Sequence, residues 1–116
     1  MSVTFAQGFS AAGVVAGISS VEGKKDLALV VNNGPLDAVA GVFTSNRFCA
    51  APVQWSRKAV ADGHAKAVIL NSGGANACTG EAGYQQSVFT AEAVAELVGA
   101  QAEDVAVCST GLIGEL

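Results

Sequence analysis

The sequence predicts an α/β domain, and three observations carry that expectation. Short continuous apolar runs at residues 27–31, 67–70 and 105–109 have the length and β-branching of buried strands. Other stretches between and beside them carry helical rather than alternating periodicity. Two of the runs leave through stretches of glycine and small polar residues, as strands of α/β proteins do where they approach a ligand crevice. A chain of 116 residues suffices for one domain with a real core and is too short for two, common domains being roughly 100–150 residues long. Residues 1–116 are therefore expected to form a single domain.

Each element follows from local pattern. Residues 8–18 are small and apolar without a clear period. The first definite strand, 27–31, is stopped by Asn32-Asn33-Gly34-Pro35, a strong turn signal. A second strand at 39–44 follows too closely for a parallel crossover, so the two are expected to form an antiparallel hairpin. Residues 53–61 are amphipathic with Arg57 and Lys58 outward, and Asp62-Gly63-His64 ends that short helix. Strand 67–70 then leads into 71–80, which reads as a loop of small residues. Tyr84, Val88, Ala91, Ala95 and Val98 fall on one helix face, Gln85, Glu92 and Glu96 on the other, and Gly99 is placed to cap the helix. Glu103 and Asp104 precede the last strand, 105–109, which is expected to turn off through Thr110-Gly111-Leu112-Ile113-Gly114. In an α/β protein a helix closes such a turn and binds anions at its N-terminus. None follows here, so the chain is expected to be the front part of an enzyme, cut inside a motif that binds or stabilises negative charge.

Composition narrows the function classes. Hydrophobic residues make up 51% and charged residues 14%, against about 25% charged in an ordinary domain, so some apolar surface is expected to meet a partner segment. Net charge is −4 and the six Lys and Arg are scattered, which leaves no basic stripe for nucleic acid or an anionic membrane. No apolar stretch approaches the roughly 20 residues that span a bilayer. The N-terminus lacks the basic and apolar regions of a signal peptide, which points to the cytoplasm. Three widely spaced cysteines, no C-x-x-C and one histidine argue against a disulfide framework and a zinc site; no metal or cofactor is expected.

Several residues have chemistry to offer, and each has a plainer use. The stretches at 71–80 and 110–114 are either tight connections or a paired site whose glycines turn backbone N–H groups toward a ligand. Neither is a nucleotide motif: Glu81 follows Gly80 where a phosphate-binding loop needs lysine, and no G-x-G-x-x-G occurs. Ser72, Thr79, Ser109 and Thr110 are possible nucleophiles, but His64, the one histidine, sits in a helix-to-strand turn and reads as exposed and idle. Cys108 lies in an apolar strand and reads as a small core residue, and Cys78 as structural. Trp55, Phe43 and Phe48 read as core, and Glu92 and Glu96 as a solvated face.

The segments Gly8-Phe9 to Ile18, Asp26 to Val31, Ala40 to Asn46, Ala50 to Val53, Ala67 to Gly80 and Val105 to Gly114 resemble, in collinear order, the N-terminal part of the ornithine acetyltransferases. These arginine-biosynthesis enzymes are also called glutamate N-acetyltransferases. Asn71-Ser72-Gly73-Gly74-Ala75-Asn76-Ala77-Cys78 and Cys108-Ser109-Thr110-Gly111-Leu112-Ile113-Gly114 are the most distinctive stretches. The resemblance implies an αββα sandwich of two packed sheets, incomplete in this chain. It also implies a precursor of roughly four hundred residues, several ordinary domains' worth. Such precursors cut themselves at an Ala-Thr bond into α and β chains, and the freed threonine is the acyl-transfer nucleophile with its own α-amino group as base. Acetyl passes from N-acetylornithine to glutamate, some members also accepting acetyl-CoA, in heterotetramers of two α and two β chains. One motif carries over: Thr110 and Gly111 match the family's Thr-Gly pair that forms the oxyanion hole. The nucleophile, the cleavage site and the main substrate-binding residues lie downstream of the matching segment. The competing expectation is a non-enzymatic binding or interaction domain that holds an anion on the backbone of residues 71–80.

Overall fold

The computed structural model describes residues 2–115. In chain order its elements are β1 (Phe9–Val14), β2 (Leu27–Asn32), α1 (Ala51–Ala59), β3 (Ala67–Ala75), α2 (Gly80–Val98), a 3-10 turn (Ala102–Asp104) and β4 (Val105–Ile113). The α/β expectation holds. The strands form one sheet in the order β1-β2-β3-β4, antiparallel from β1 to β3 and parallel between β3 and β4. The α2 crossover is what lets neighbouring β3 and β4 run the same way.

Two expectations about the strands are corrected. There is no hairpin between 27–31 and 39–44, because β1 and β3 occupy both sides of β2 and leave no edge for a third partner. Residues 37–39 instead dock on the exit of α1. There Ala38 and His64 form an isolated bridge, Val39 N–H donates to the Gly63 carbonyl at 2.9 Å, and Ala65 N–H donates to that of Asp37 at 2.8 Å. The strand β1 that fills the place is hard to read from sequence, since Ser10-Ala11-Ala12-Gly13 offers almost no β-branching or alternation. The second correction concerns length. Both β3 and β4 continue past Leu70 and Ser109 in unbroken register, from Asn71 opposite Ser109 to Ala75 opposite Ile113. Half of the expected loop at 71–80 and most of the expected turn at 110–114 are therefore strand. Glycine weakens a strand by lacking a side chain to pack, but ladder hydrogen bonds need only backbone, and these two glycine-containing ends supply it to each other.

Alternation across the pleat builds one core. Ala67, Ile69, Val105 and Val107 face the helices and meet Trp55, Ala59, Ala91, Val94 and Ala95, with Leu27, Leu29, Val31, Tyr84 and Val88 at the border. Gln85, Glu92 and Glu96 are exposed as expected, and Gly99 caps α2 at φ 68°. Side chains of the opposite parity, among them Ala28, Leu70 and Cys108, look away from the helices. Leu70 is 37% exposed on that side. Cys108 is exposed there too, which overturns its expected place in the core. Phe48, 82% exposed, was likewise misplaced by its hydrophobicity, whereas Trp55 is core as expected. Phe43 is half-buried beneath Arg57, whose guanidinium carbon lies 5.4 Å from the ring centre.

The outer edge of β4 is finished by α1. Trp55 Nε1 donates to the Val105 carbonyl at 2.9 Å. Ser56 Oγ donates to the Val107 carbonyl at 2.8 Å and accepts the Val107 N–H at 2.9 Å. Side chains thus satisfy backbone groups that an edge strand would otherwise leave open.

Candidate active site

The chemistry gathers where β3 and β4 lose their large side chains. Thr110 pairs with Ser72 and Gly111 with Gly73, and both Thr110 and Gly111 are exposed. Gly111 has φ 137°, and a Cβ there would overlap the Gly73 carbonyl. Gly73 has φ 150°, and a Cβ on it would come within 2.7 Å of the Ile18 carbonyl and 2.8 Å of Ser19 N. Three backbones therefore lie at contact distance, 18–19 beside 73 beside 111, and side chains are excluded at Gly73 and Gly111.

Thr110 lines a depression of about 300 Å³ on the helix-free side of the sheet, with Cys108, Ser72, Lys25 and Asp26 on its walls. That volume is at the small end of ligand sites. Lys24 Nζ donates to Ser72 Oγ at 3.3 Å on its rim. Ser109 turns the other way: its hydroxyl donates to the Gly74 carbonyl at 3.0 Å and accepts the Asn76 N–H at 3.1 Å. Buried Asn76 then donates to the Gly83 carbonyl at 2.8 Å and to Ser87 Oγ at 3.2 Å, and accepts Thr79 Oγ1 at 2.6 Å. This network ties the first turns of α2 to the end of β4, so the Thr110–Gly111 backbone is held from both sides of the sheet.

Asp26 is the buried charge nearest the site, 3% exposed. Its carboxylate accepts the Ala16 N–H at 2.6 Å and the Ser19 N–H at 2.8 Å, while its carbonyl accepts the Ser72 N–H at 2.8 Å. The Ser19 and Ala16 amides hold its carboxyl below the usual carboxylate range, against the opposing effect of burial. Sequence reasoning passed over it, because an acid beside Lys24-Lys25 looks like part of a solvated charge run. Its one signal was a lone acid directly before a continuous apolar strand.

The remaining candidates separate from this site. His64 is exposed at the end of β3 remote from Ser72, so it stands beside none of Ser72, Thr79, Ser109 and Thr110. It is not idle, however: Nδ1 lies 3.0 Å from Asp37 Oδ1, which raises the histidine above its ordinary 6.5 and draws Asp37 down. Cys78 is exposed at φ 60°. Partial burial pushes the Cys108 thiol up, away from the thiolate form. Among the described residues no group of three potential metal ligands occurs.

The sequence profile of the ArgJ family matches residues 10–116. The chain belongs to the ArgJ family. Over 116 residues it is 90% identical to the arginine biosynthesis bifunctional protein ArgJ of Bifidobacterium longum (strain NCC 2705), covering 100% of this chain and 30% of that protein. It is 60% identical to the protein of the same description from Streptomyces coelicolor (strain ATCC BAA-471 / A3(2) / M145), with the same coverage. The chain thus spans about 30% of the length of these ArgJ relatives. Its fold matches the crystal structure of ornithine acetyltransferase complexed with ornithine from Mycobacterium tuberculosis at a TM-score of 0.91 and 56% identity, over 94% of this chain and 58% of that one. The arginine biosynthesis bifunctional protein ArgJ of Bacillus halodurans matches at a TM-score of 0.92 and 40% identity, over 100% and 60%. One sheet with one helical layer is the part of the ArgJ fold that this chain supplies.

Proposed function

We propose that the chain is the N-terminal domain of the α chain of an ornithine acetyltransferase, also acting as glutamate N-acetyltransferase, and that Thr110 and Gly111 form its oxyanion hole. One observation carries this reading. A Thr-Gly pair stands exposed beside a depression of about 300 Å³ in a chain 56% identical to an ornithine acetyltransferase complexed with ornithine. The nucleophile belongs to a segment outside these 116 residues. A threonine hydroxyl there attacks the acetyl carbonyl of N-acetylornithine while its own α-amino group takes the proton. The carbonyl oxygen becomes an oxyanion, to which the Thr110 hydroxyl and the Gly111 N–H donate. Collapse releases ornithine with the proton on its amine and leaves acetyl on the threonine; the glutamate amine then repeats the cycle in reverse. Acetyl-CoA serves as donor in the same way where it is accepted. The helix-free face of the sheet receives the rest of the enzyme, in a cytoplasmic assembly of two α and two β chains.

The competing reading, an anion held on a loop at 71–80, loses its footing because residues 71–75 are strand. The test of the leading one is Thr110→Ala in a precursor that carries this segment. One donor is lost and the glycine amide stays, so kcat should fall about 100- to 1000-fold, roughly 3 to 4 kcal/mol, with KM little changed. Thr110→Ser keeps the hydroxyl and most of the rate. Near-normal kcat in a folded Thr110→Ala enzyme removes Thr110 from the chemistry.

A further inference from the structure

The connection between β1 and β2, residues 15–26, folds back over the glycine end of β3, and Asp26 is what holds it there. An almost fully buried carboxylate is costly unless it is well bonded. None of its partners within hydrogen-bond distance is a cation; its two oxygens are spent on the N–H groups of Ala16 and Ser19. The Asp26 N–H donates to the Val14 carbonyl at 3.0 Å and its carbonyl accepts the Ser72 N–H, so the residue is fixed to β1 and β3 at once. What it immobilises is the backbone at Ile18–Ser19, which lies against Gly73, which lies against Gly111. The chain of contact from the carboxylate to the Gly111 backbone runs entirely through main-chain atoms, without a side chain that can change rotamer.

We infer that Asp26 is a positioning residue for the oxyanion site: by clamping residues 16–19 onto Gly73 it fixes the placement of Gly111 and Thr110. The inference rests on the oxyanion reading of Thr110 and Gly111. Donors to a developing charge are effective only when held in place beforehand, and small misplacements are expensive in rate. Three backbones side by side, with glycine at 73 and 111, transmit displacement directly, because main chain lies against main chain.

The test uses the precursor and compares Asp26→Ala, Asp26→Asn and Thr110→Ala. Asp26→Ala removes both acceptors, Asp26→Asn one of them. The expected result is a graded fall in kcat, about 10- to 100-fold for Ala and less for Asn, with KM within about twofold, since substrate affinity is not what the clamp sets. Folding of each variant is checked by its cooperative melt. If Thr110→Ala is crippled while folded Asp26→Ala keeps kcat within about twofold, the positioning inference is overturned and the oxyanion reading stands. If Thr110→Ala is unimpaired, the oxyanion reading has failed first and takes the inference with it. Should Asp26→Ala not fold, Asp26→Asn decides on the same criterion. Should neither fold, amide exchange on the unaltered precursor decides: slow exchange at Ala16 and Ser19 supports the clamp, and exchange at the rate of an unstructured segment overturns it.

Discussion

At the scale of single residues the molecule separates charges that hold backbone from charges that only face water. Asp37 and His64 are both exposed, yet their pairing at 3.0 Å joins the segment after β2 to the exit of α1 beside the Ala38–His64 bridge. The histidine is raised chiefly by its hydrogen bond to Asp37, and Asp37 is lowered by the same bond. The sign follows for each partner. The contribution of His64 is complete below its ordinary 6.5 and is lost as pH rises through the raised value. That of Asp37 is present above 3.8 and is lost as pH falls through the lowered one. The pair's contribution is therefore complete between 3.8 and 6.5, and is lost as pH rises through the raised histidine midpoint or falls through the lowered Asp37 one. Asp37→Asn should bring the His64 midpoint, followed by NMR of its ring protons, back toward 6.5. An unchanged midpoint would mean that the contact does not persist in solution.

At the scale of elements, the α1–β4 seam is held by polar as well as apolar contact. Ser56 is buried and both gives and takes a hydrogen bond at Val107, so Ser56→Ala leaves a buried N–H and a buried carbonyl without that partner. A loss of about 2 to 3 kcal/mol is expected, read as a lower urea midpoint at unchanged slope. A midpoint shift worth less than about 0.5 kcal/mol would show that water replaces the serine. Sequence made some of this architecture legible. Residues 27–31, 67–70 and 105–109 announced their strands because β-branched side chains buried in a sheet are apolar without interruption. The periodicity of α2 and its glycine cap were equally plain, since both depend on local spacing. β1 and the glycine ends of β3 and β4 were not, because their strand character comes from partners far along the chain rather than from their own side chains. The same holds within the site: Thr110 and Gly111 stood out as a motif, but their seat in a paired strand did not. Asp26 stayed hidden because its acceptors serve main-chain N–H groups, which leave no trace in residue type.

At the scale of the whole molecule the imbalance is between two faces of one sheet. The helices cover one; on or near the other, Phe9 is 40% and Leu70 37% exposed, and the far end of β4 adds Leu112 at 68%. A net charge of −4 offers little repulsion to keep such surfaces apart. The purified 116-residue chain is accordingly expected to self-associate in sedimentation velocity and to show no acetyl transfer between N-acetylornithine and glutamate. A sharply melting, monodisperse monomer contradicts the first expectation, and measurable transfer contradicts the second.

The strand order carries a consequence in time. Order across the sheet is order along the chain, β1-β2-β3-β4, so each strand leaving the ribosome finds its partner already made and at the growing edge. None of β1 to β4 has to wait for a later one of the four to be inserted beside it, and the parallel pair needs only the intervening α2. Synthesis at about 5 to 20 residues per second leaves ample time for each addition. These four strands can thus be laid down in the direction of translation, with the Thr110–Gly111 end of β4 added after the parts of β1 to β3 that hold it.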